Sequence, residues 1–473
     1  MTRPSIGTPP DLDDETAGLL RPYLRLAKAL GEEYMQKAER WHFLVSDHGF
    51  ASVPGPPTTR EEFEVFYAKC HDGWKLAQRE IADFLIESLP QLTAAKAEEK
   101  RLHAAKDVTG RKLAKENRRR IEAEIAVARR MLDAALWTMV SCEHSTLRRL
   151  LVADGRHSLT VANIQEAMRA AEEFNKEPMT IALCCDMLSL VHIGDLVLFD
   201  ARTGTLSFVE LKAGDKNVAL AKAADFAVKS QCAAFESFAT GSLSPKDLKH
   251  FARAKRQAER NNAAISIIKN EGGDDPFTGG RVQIQRVAPP KTWGDRIAAC
   301  AASLTAERQW AIDVVEDCVY IGVYTDPKMA FAGFQSWMKI QACTAPVVNF
   351  LDSFRQPAVR PLGAANMTYE LRLKALRGDI LVILCLDIHR LIERGNKLLP
   401  GFMRLGSRSE GAKAQSPRIQ DFTLDGCPVI CNVGGQEVIL GAGTRDRILF
   451  DFHSPTQLLQ NYLDYPPVPS TEG

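Results

Sequence analysis

Asp195, Glu210 and Lys212 are the residues of this 473-residue chain whose types and spacing could do chemistry together. The segment HIGDLVLFDARTGTLSFVELKAGDKN holds two apolar runs joined by Ala201-Arg202-Thr203-Gly204. Gly204 can take the positive φ that a four-residue hairpin loop often needs. If Asp200 pairs with Thr205 across that loop, the same antiparallel register places Asp195 opposite Glu210, with Cβ atoms about 4.5 to 5.5 Å apart on one face. Like charges so placed destabilise a sheet by up to roughly 1 kcal/mol, and by more beside residues as apolar as Ile193, Leu196, Val209 and Leu211. A divalent cation held by both carboxylates removes the repulsion, and hard oxygen ligands suit Mg²⁺. Lys212 lies two residues beyond Glu210, so strand alternation puts its ammonium on the same face, where it can orient a water and neutralise charge developing on a phosphate. The Asp195–Glu210 pairing requires the loop register to be right to the residue, whereas the Glu210–Lys212 relation depends only on strand period. The competing reading is a surface hairpin with ordinary polar residues; both flanking runs are apolar on both faces, as in a buried central strand, which weighs against it.

The elements that must position these residues follow from periodicity. Residues 156–328 have an α/β texture: a helix from Thr160 to Asn175, strands at Met179–Cys185, His192–Phe199 and Leu206–Ala213, helices at Ala219–Phe238 and Pro245–Asn270, and strands at Val282–Val287 and Cys318–Tyr324. Residues 1–155 read as a helical region in which Thr58 or Thr59, followed by Glu61 and Glu62, starts a new helix. A charged segment from Thr93 to Trp137 is an extended helix or a helical hairpin broken near Thr109 and Gly110. Residues 329–473 read as an α+β region, with a buried strand or helix start at Ile380–Ile388 and a polar insert at Ser407–Pro417. Further strands are expected at Pro428–Asn432, Glu437–Leu440 and Ile448–Phe452, then a helix at Thr456–Tyr462.

Gly194-Asp195, fourteen intervening residues and Glu210-Leu211-Lys212 resemble the signature of the PD-(D/E)xK nuclease superfamily, which includes restriction endonucleases and archaeal Holliday junction resolvases. Gly194 stands where that family often has proline. The resemblance covers roughly residues 160 to 325, about a third of the chain. It implies a restriction-endonuclease-like αβββαβ core with a mixed sheet, Mg²⁺ or Mn²⁺ as cofactor, Asp195, Glu210 and Leu211 as the metal-binding residues, and Lys212 as the residue that assists the attacking water. Val228, Gln231, Phe235 and Phe238 fall at three- and four-residue spacing, which sets an amide in an apolar stripe, and a buried amide needs partners. The recombination-nuclease branch of the family carries a Gln with an aromatic four residues on, which Gln231 and Phe235 resemble, so Gln231 joins the catalytic candidates; a glutamine capping a core edge is the bland alternative. Many members also use an acid on the preceding helix, and there Glu172 flanks the apolar face while Glu166 points away. His192 could approach the site, but a lone histidine beside an apolar run is more often structural.

Composition bounds what surrounds this core. Hydrophobic residues at 45% and charged residues at 25% match an ordinary globular chain. The N-terminus has no apolar signal-peptide core and Asp387 interrupts the longest apolar run, so a cytoplasmic location without membrane contact is expected. The eleven cysteines are scattered, which fits reduced thiols rather than a disulfide framework. Net charge is +1, so any nucleic-acid footprint must be local. Two local candidates are KAEEKRLHAAKDVTGRKLAKENRRR from Lys96 to Arg120 and KDLKHFARAKRQAER from Lys246 to Arg260; for each the plain alternative is a solvated helix face. In the second, Lys249, Arg253, Lys255, Arg256 and Arg260 follow the core closely enough to contact phosphates. No GxxxxGK[ST] loop, GxSxG elbow or HExxH helix occurs. The expected activity is metal-dependent phosphodiester hydrolysis, in DNA before RNA, with the helical region mediating self-association or partner binding, and by analogy of fold a role against foreign DNA. The rival is an inactive nuclease fold serving as a nucleic-acid-binding or assembly scaffold. A purely helical interaction protein with an incidental ExK would form no sheet over 180–213.

Overall fold

A computed structural model describes residues 30–150, 159–191, 194–211, 215–274, 281–284, 291–356, 358–414 and 422–464. Helix α1 (Glu32–Ser46) packs on a long antiparallel pair, α2 (Arg60–Ala104) and α3 (Val108–Met139). The start of α2 is the capping box expected from its sequence: the Thr59 hydroxyl accepts from the Glu62 N–H while the Glu62 carboxylate accepts from the Thr59 N–H. The charged segment is a hairpin, broken a few residues ahead of Thr109-Gly110. Lys106 adopts φ 58°, and the Asp107 carboxylate caps α3 through the Gly110 N–H at 2.8 Å.

Next comes α4 (Val161–Phe174), then a sheet of β1 (Thr180–Cys184), β2 (Leu196–Asp200) and β3 (Thr205–Val209) in that spatial order. Asp200 pairs with Thr205 across residues 201–204, and Gly204 has φ 64°. The outer edge of β1 is closed by side chains. Asn175 accepts from the Ala182 N–H and donates to its carbonyl, while Gln78 of α2 accepts from the Cys184 N–H and also donates to the Ala182 carbonyl. β2 begins fully buried at Leu196 and Val197, but β3 lies at the edge of the sheet among the described residues and alternates exposed and half-buried positions, so it is not the buried central strand its composition suggested.

Helices α5 (Asp215–Ser230), α6 (Ala233–Ser242) and α7 (Pro245–Asn270) follow, with Leu220, Ala224, Ala227 and Phe251 forming a small apolar cluster between α5 and α7. The helix expected over Ala219–Phe238 is two helices, because Gln231 takes φ 50° and the Ser230 hydroxyl accepts from the Cys232 N–H. α7 matches its expected span: Ser244 caps it, Pro245 occupies its first turn, and Glu271 at φ 57° ends it. The expected strand after it contributes Arg281–Gln283 (β5), paired with Gly272–Asp274 (β4) rather than with the first sheet; Ile284 lies beyond β5, and 285–287 fall outside the described residues.

Strands β6 (Trp310–Val315), β7 (Val319–Tyr324), β8 (Val347–Asn349) and β9 (Leu381–Leu386) form a second large sheet in the order β6-β7-β9-β8. The boundary drawn at 328 therefore falls between two strands of one sheet. Every named strand pairing among the described residues is antiparallel, so the mixed sheet expected for the core is not found there. Beyond β9 the expected strands near 428 and 437 occur, as Cys427–Val433 and Gln436–Ile439. Ile448–Phe452 is not a strand: residues 443–450 are helical, a buried helix whose short apolar run has no period long enough to reveal it. One continuous apolar core joins the N-terminal helices, the first sheet and the C-terminal sheets. No helix among the described residues is long and apolar enough to cross a membrane, and all eleven cysteines are free thiols.

Candidate functional site

The ladder between β2 and β3 ends at Leu196 and Val209, so Asp195 and Glu210 are the next residue outward on each strand. Asp195 grips the two neighbours of Glu210. Its N–H donates to the Val209 carbonyl at 2.9 Å, and its Oδ2 accepts from the Leu211 N–H at 2.6 Å. Val209 is the ladder partner of Leu196, so a bond to it from Asp195 means the chain bends at the strand end instead of continuing flat. Gly194 makes the bend possible. It has φ 72°, a torsion closed to proline and rare for other L residues, and a Cβ there would make a tight 3.2 Å contact with the Val209 carbonyl oxygen.

Glu210 is held from the other side. Its Oε1 accepts from Gln257 Nε2 at 2.5 Å and from Asn261 Nδ2 at 3.2 Å. These amides stand four residues apart on α7 and so share one face of it. Lys249 and Arg253 continue the same four-residue series toward the N-terminus of α7, and Arg256 and Arg260 flank it. Lys249, Arg253 and Arg256 are exposed, Arg260 is half-buried, and none of the four has an ion-pair partner among the described residues. Lys255 is engaged with Glu236 at 2.5 Å and with Glu259 at 3.8 Å. The basic helix therefore touches Glu210, and among the cations of its middle Lys249, Arg253, Arg256 and Arg260 are without ion-pair partners among the described residues while Lys255 is engaged.

More acids gather at this end of the sheet. Burial pushes the Cys184 thiol well up, and after burial come Asp186, Asp195 and Glu172, in that order. The Cys185 thiol is likewise raised, by burial and then by Cys184, Asp195, Asp186 and Glu210. Glu172, exposed on α4, is thus within electrostatic reach, in keeping with its expected side of that helix. Asp186 is a residue the sequence reading missed. It follows β1 at the end of the sheet where Asp195 precedes β2, and its carboxylate accepts from Asn163 at 3.3 Å. Position was the available signal: in antiparallel strands, residues just after β1, just before β2 and just after β3 meet at one end. Gln257 and Asn261 were also missed. Their spacing of four on a basic helix was readable, but nothing local says which strand that face meets.

Gln231 does not join the site among the described contacts. It is exposed at the break between α5 and α6, the apolar stripe stops there, and Phe238 is 72% exposed. Phe235 instead meets Phe226 edge-on at 4.8 Å. Lys212 and His192 lie outside the described residues.

Among the described residues no group of three His, Cys, Asp or Glu side chains is set to hold a metal ion. A two-carboxylate set suits Mg²⁺ nonetheless, since that ion takes one or two carboxylates and keeps several waters. The donors present are hard oxygens, and the adjacent thiols are buried and held protonated. Compared with protein-family models, with curated proteins and with solved structures, the chain matches none of them.

Proposed function

We propose that the chain is a metal-dependent nuclease with a PD-(D/E)xK-type core, acting on DNA in preference to RNA. The observation that carries this reading is the fastening of Asp195 to both neighbours of Glu210 while a helix bearing arginines without ion-pair partners among the described residues binds Glu210 itself. Asp195 and Glu210, with Leu211, would hold Mg²⁺ or Mn²⁺, which when bound supplies Lewis-acid polarisation of the phosphodiester. The Leu211 N–H fixes Asp195 Oδ2 and with it the orientation of the carboxylate. Gln257 and Asn261 fix the rotamer of Glu210, as outer groups do for ligating carboxylates. Lys212 would orient the attacking water, and Arg253, Arg256 and Arg260 would bind the flanking phosphates. A restriction-endonuclease-like arrangement, and a role against foreign DNA, are parts of this proposal.

One observation favours a second reading. Glu210 Oε1 accepts two amide N–H groups, which also describes a structural carboxylate in an inactive nuclease fold that binds nucleic acid or organises an assembly. The deciding experiment incubates purified protein with linear, circular and single-stranded DNA and with RNA, in Mg²⁺, Mn²⁺ or EDTA, beside D195N and K212A. Cleavage that needs the metal and disappears in both variants supports the nuclease. Metal-independent binding indifferent to both substitutions supports the scaffold.

A further inference from the structure

The outer end of the α2/α3 hairpin bears on neither the carboxylates nor the core. From Lys96 to Arg120, between buried Ala95 and buried Ile121, no residue is buried, so these 25 residues pack only as two helices against each other. They carry ten Lys and Arg against four Asp and Glu, a local net of +6 on a chain whose total is +1.

The ion pairs decide how that charge is presented. Glu98 takes Arg101 at 2.7 Å and Glu99 takes Arg118 at 2.6 Å, while Asp107 is used as a helix cap. Lys96 and Arg120 reach inward to Glu122 and Glu124. Three of the four acids are thereby occupied, and Lys100, Lys106, Arg111, Lys115 and Arg119 have no ion-pair partner among the described residues. Arg111, Lys115 and Arg119 recur every fourth residue on α3, about 6 Å apart along the helix axis. A helix that needed charge only for solubility would mix signs along its faces, with i,i+4 pairs of opposite charge. Here Arg111, Lys115 and Arg119 put one sign along one face of α3, while Glu116, the remaining acid of the segment and without an ion-pair partner among the described residues, sits off that row.

We infer that this hairpin end is an arm that binds the phosphate backbone of nucleic acid, holding substrate by charge without reading its sequence. The occupant is chosen by complementarity: a regular row of phosphates accepts a regular row of cations, and each contact releases counterions. The inference rests on the chain acting on nucleic acid, and not on the chemistry at Asp195.

The test uses the full chain, wild type and the triple variant R111Q/K115Q/R119Q, with Gln chosen to keep helix propensity. Binding of a 30-base-pair duplex in EDTA is measured from 50 to 300 mM salt, with circular dichroism to verify the fold. The wild-type plot of log affinity against log salt should be steeper than the variant's by about 3, and the variant should bind at least tenfold more weakly near 150 mM. Equal slopes and affinities in the two proteins overturn the arm, as does a wild type that binds polyglutamate but not DNA. The two readings fail separately. Wild type that binds with the steep slope yet never cuts leaves the arm and removes the catalyst. Wild type that cuts, with a triple variant equal to it in KM and slope, leaves the catalyst and removes the arm.

Discussion

Gln257 donates to Glu210 across 2.5 Å, joining the residue just past the end of β3 to the middle of a helix that begins 35 residues later. Asn261 adds a second N–H to the same oxygen. If Glu210 is a metal ligand, Q257A and N261A should weaken metal use before they weaken the fold. We expect the half-saturating Mg²⁺ concentration for cleavage to rise about tenfold in each and further in the double variant, from the usual cost of losing groups that orient a ligand. Unchanged metal dependence in the double variant would remove Glu210 from the ligand set.

At Asp195, charge and structure separate. Asparagine keeps an acceptor for the Leu211 N–H; alanine does not. Both variants should lose cleavage, but D195A should also lose about 1 to 3 kcal/mol through the orphaned N–H, while D195N stays near wild type. Thermal midpoints beside a cleavage assay measure both. Equal midpoints for the two variants would mean that the bond to Leu211 contributes nothing to stability.

Acid sensitivity should come from buried histidines. His42 is lowered to about 3, by burial first and then by Arg372, and His71 to about 4, chiefly by burial. The unfolded chain binds these protons near pH 6.5, before the folded chain does, so stability is full above that pH and falls as pH drops toward 4. At pH 5 each should cost on the order of 2 kcal/mol. H42F, which keeps an aromatic ring beside Tyr369, should flatten the decline in thermal midpoint between pH 6.5 and 5. An unchanged slope would exclude His42 as a source.

Arg130 fastens distant parts of the molecule. It is 1% exposed and donates to Asp133 at 2.8 Å, to the Ser353 carbonyl at 3.1 Å and to the Val359 carbonyl at 2.5 Å, while Asp133 accepts from the Ser189 N–H at 2.9 Å. Removing one partner strands a buried charge, so R130M should destabilise by about 3 to 5 kcal/mol, and R130M/D133L by less than R130M alone. Denaturant midpoints of the two variants give the comparison; a double variant worse than the single would refute the stranded-charge explanation.

The hairpin register, the Thr59–Glu62 cap and the span of α7 were legible because each depends on residues within a few positions of one another. The break at Gln231 was not, since an apolar stripe every third or fourth residue reads the same across one helix or two. Nor was the fate of Ile448–Phe452, where four apolar residues interrupted by Asp451 fit a buried helix as well as a strand.

What the sequence determined by itself was the local order: two acids at the ends of paired strands, an ExK spacing, a basic helix downstream, and a charged hairpin ahead. What only the tertiary structure decided was company. β7 joined β9 rather than the first sheet, α7 brought Gln257 and Asn261 to Glu210, and Asp186 and Asp195 came to act together on the buried Cys185 thiol. Backbone sterics and side-chain period act between neighbours in the chain and can be read along it, whereas burial of apolar faces is settled among all surfaces at once.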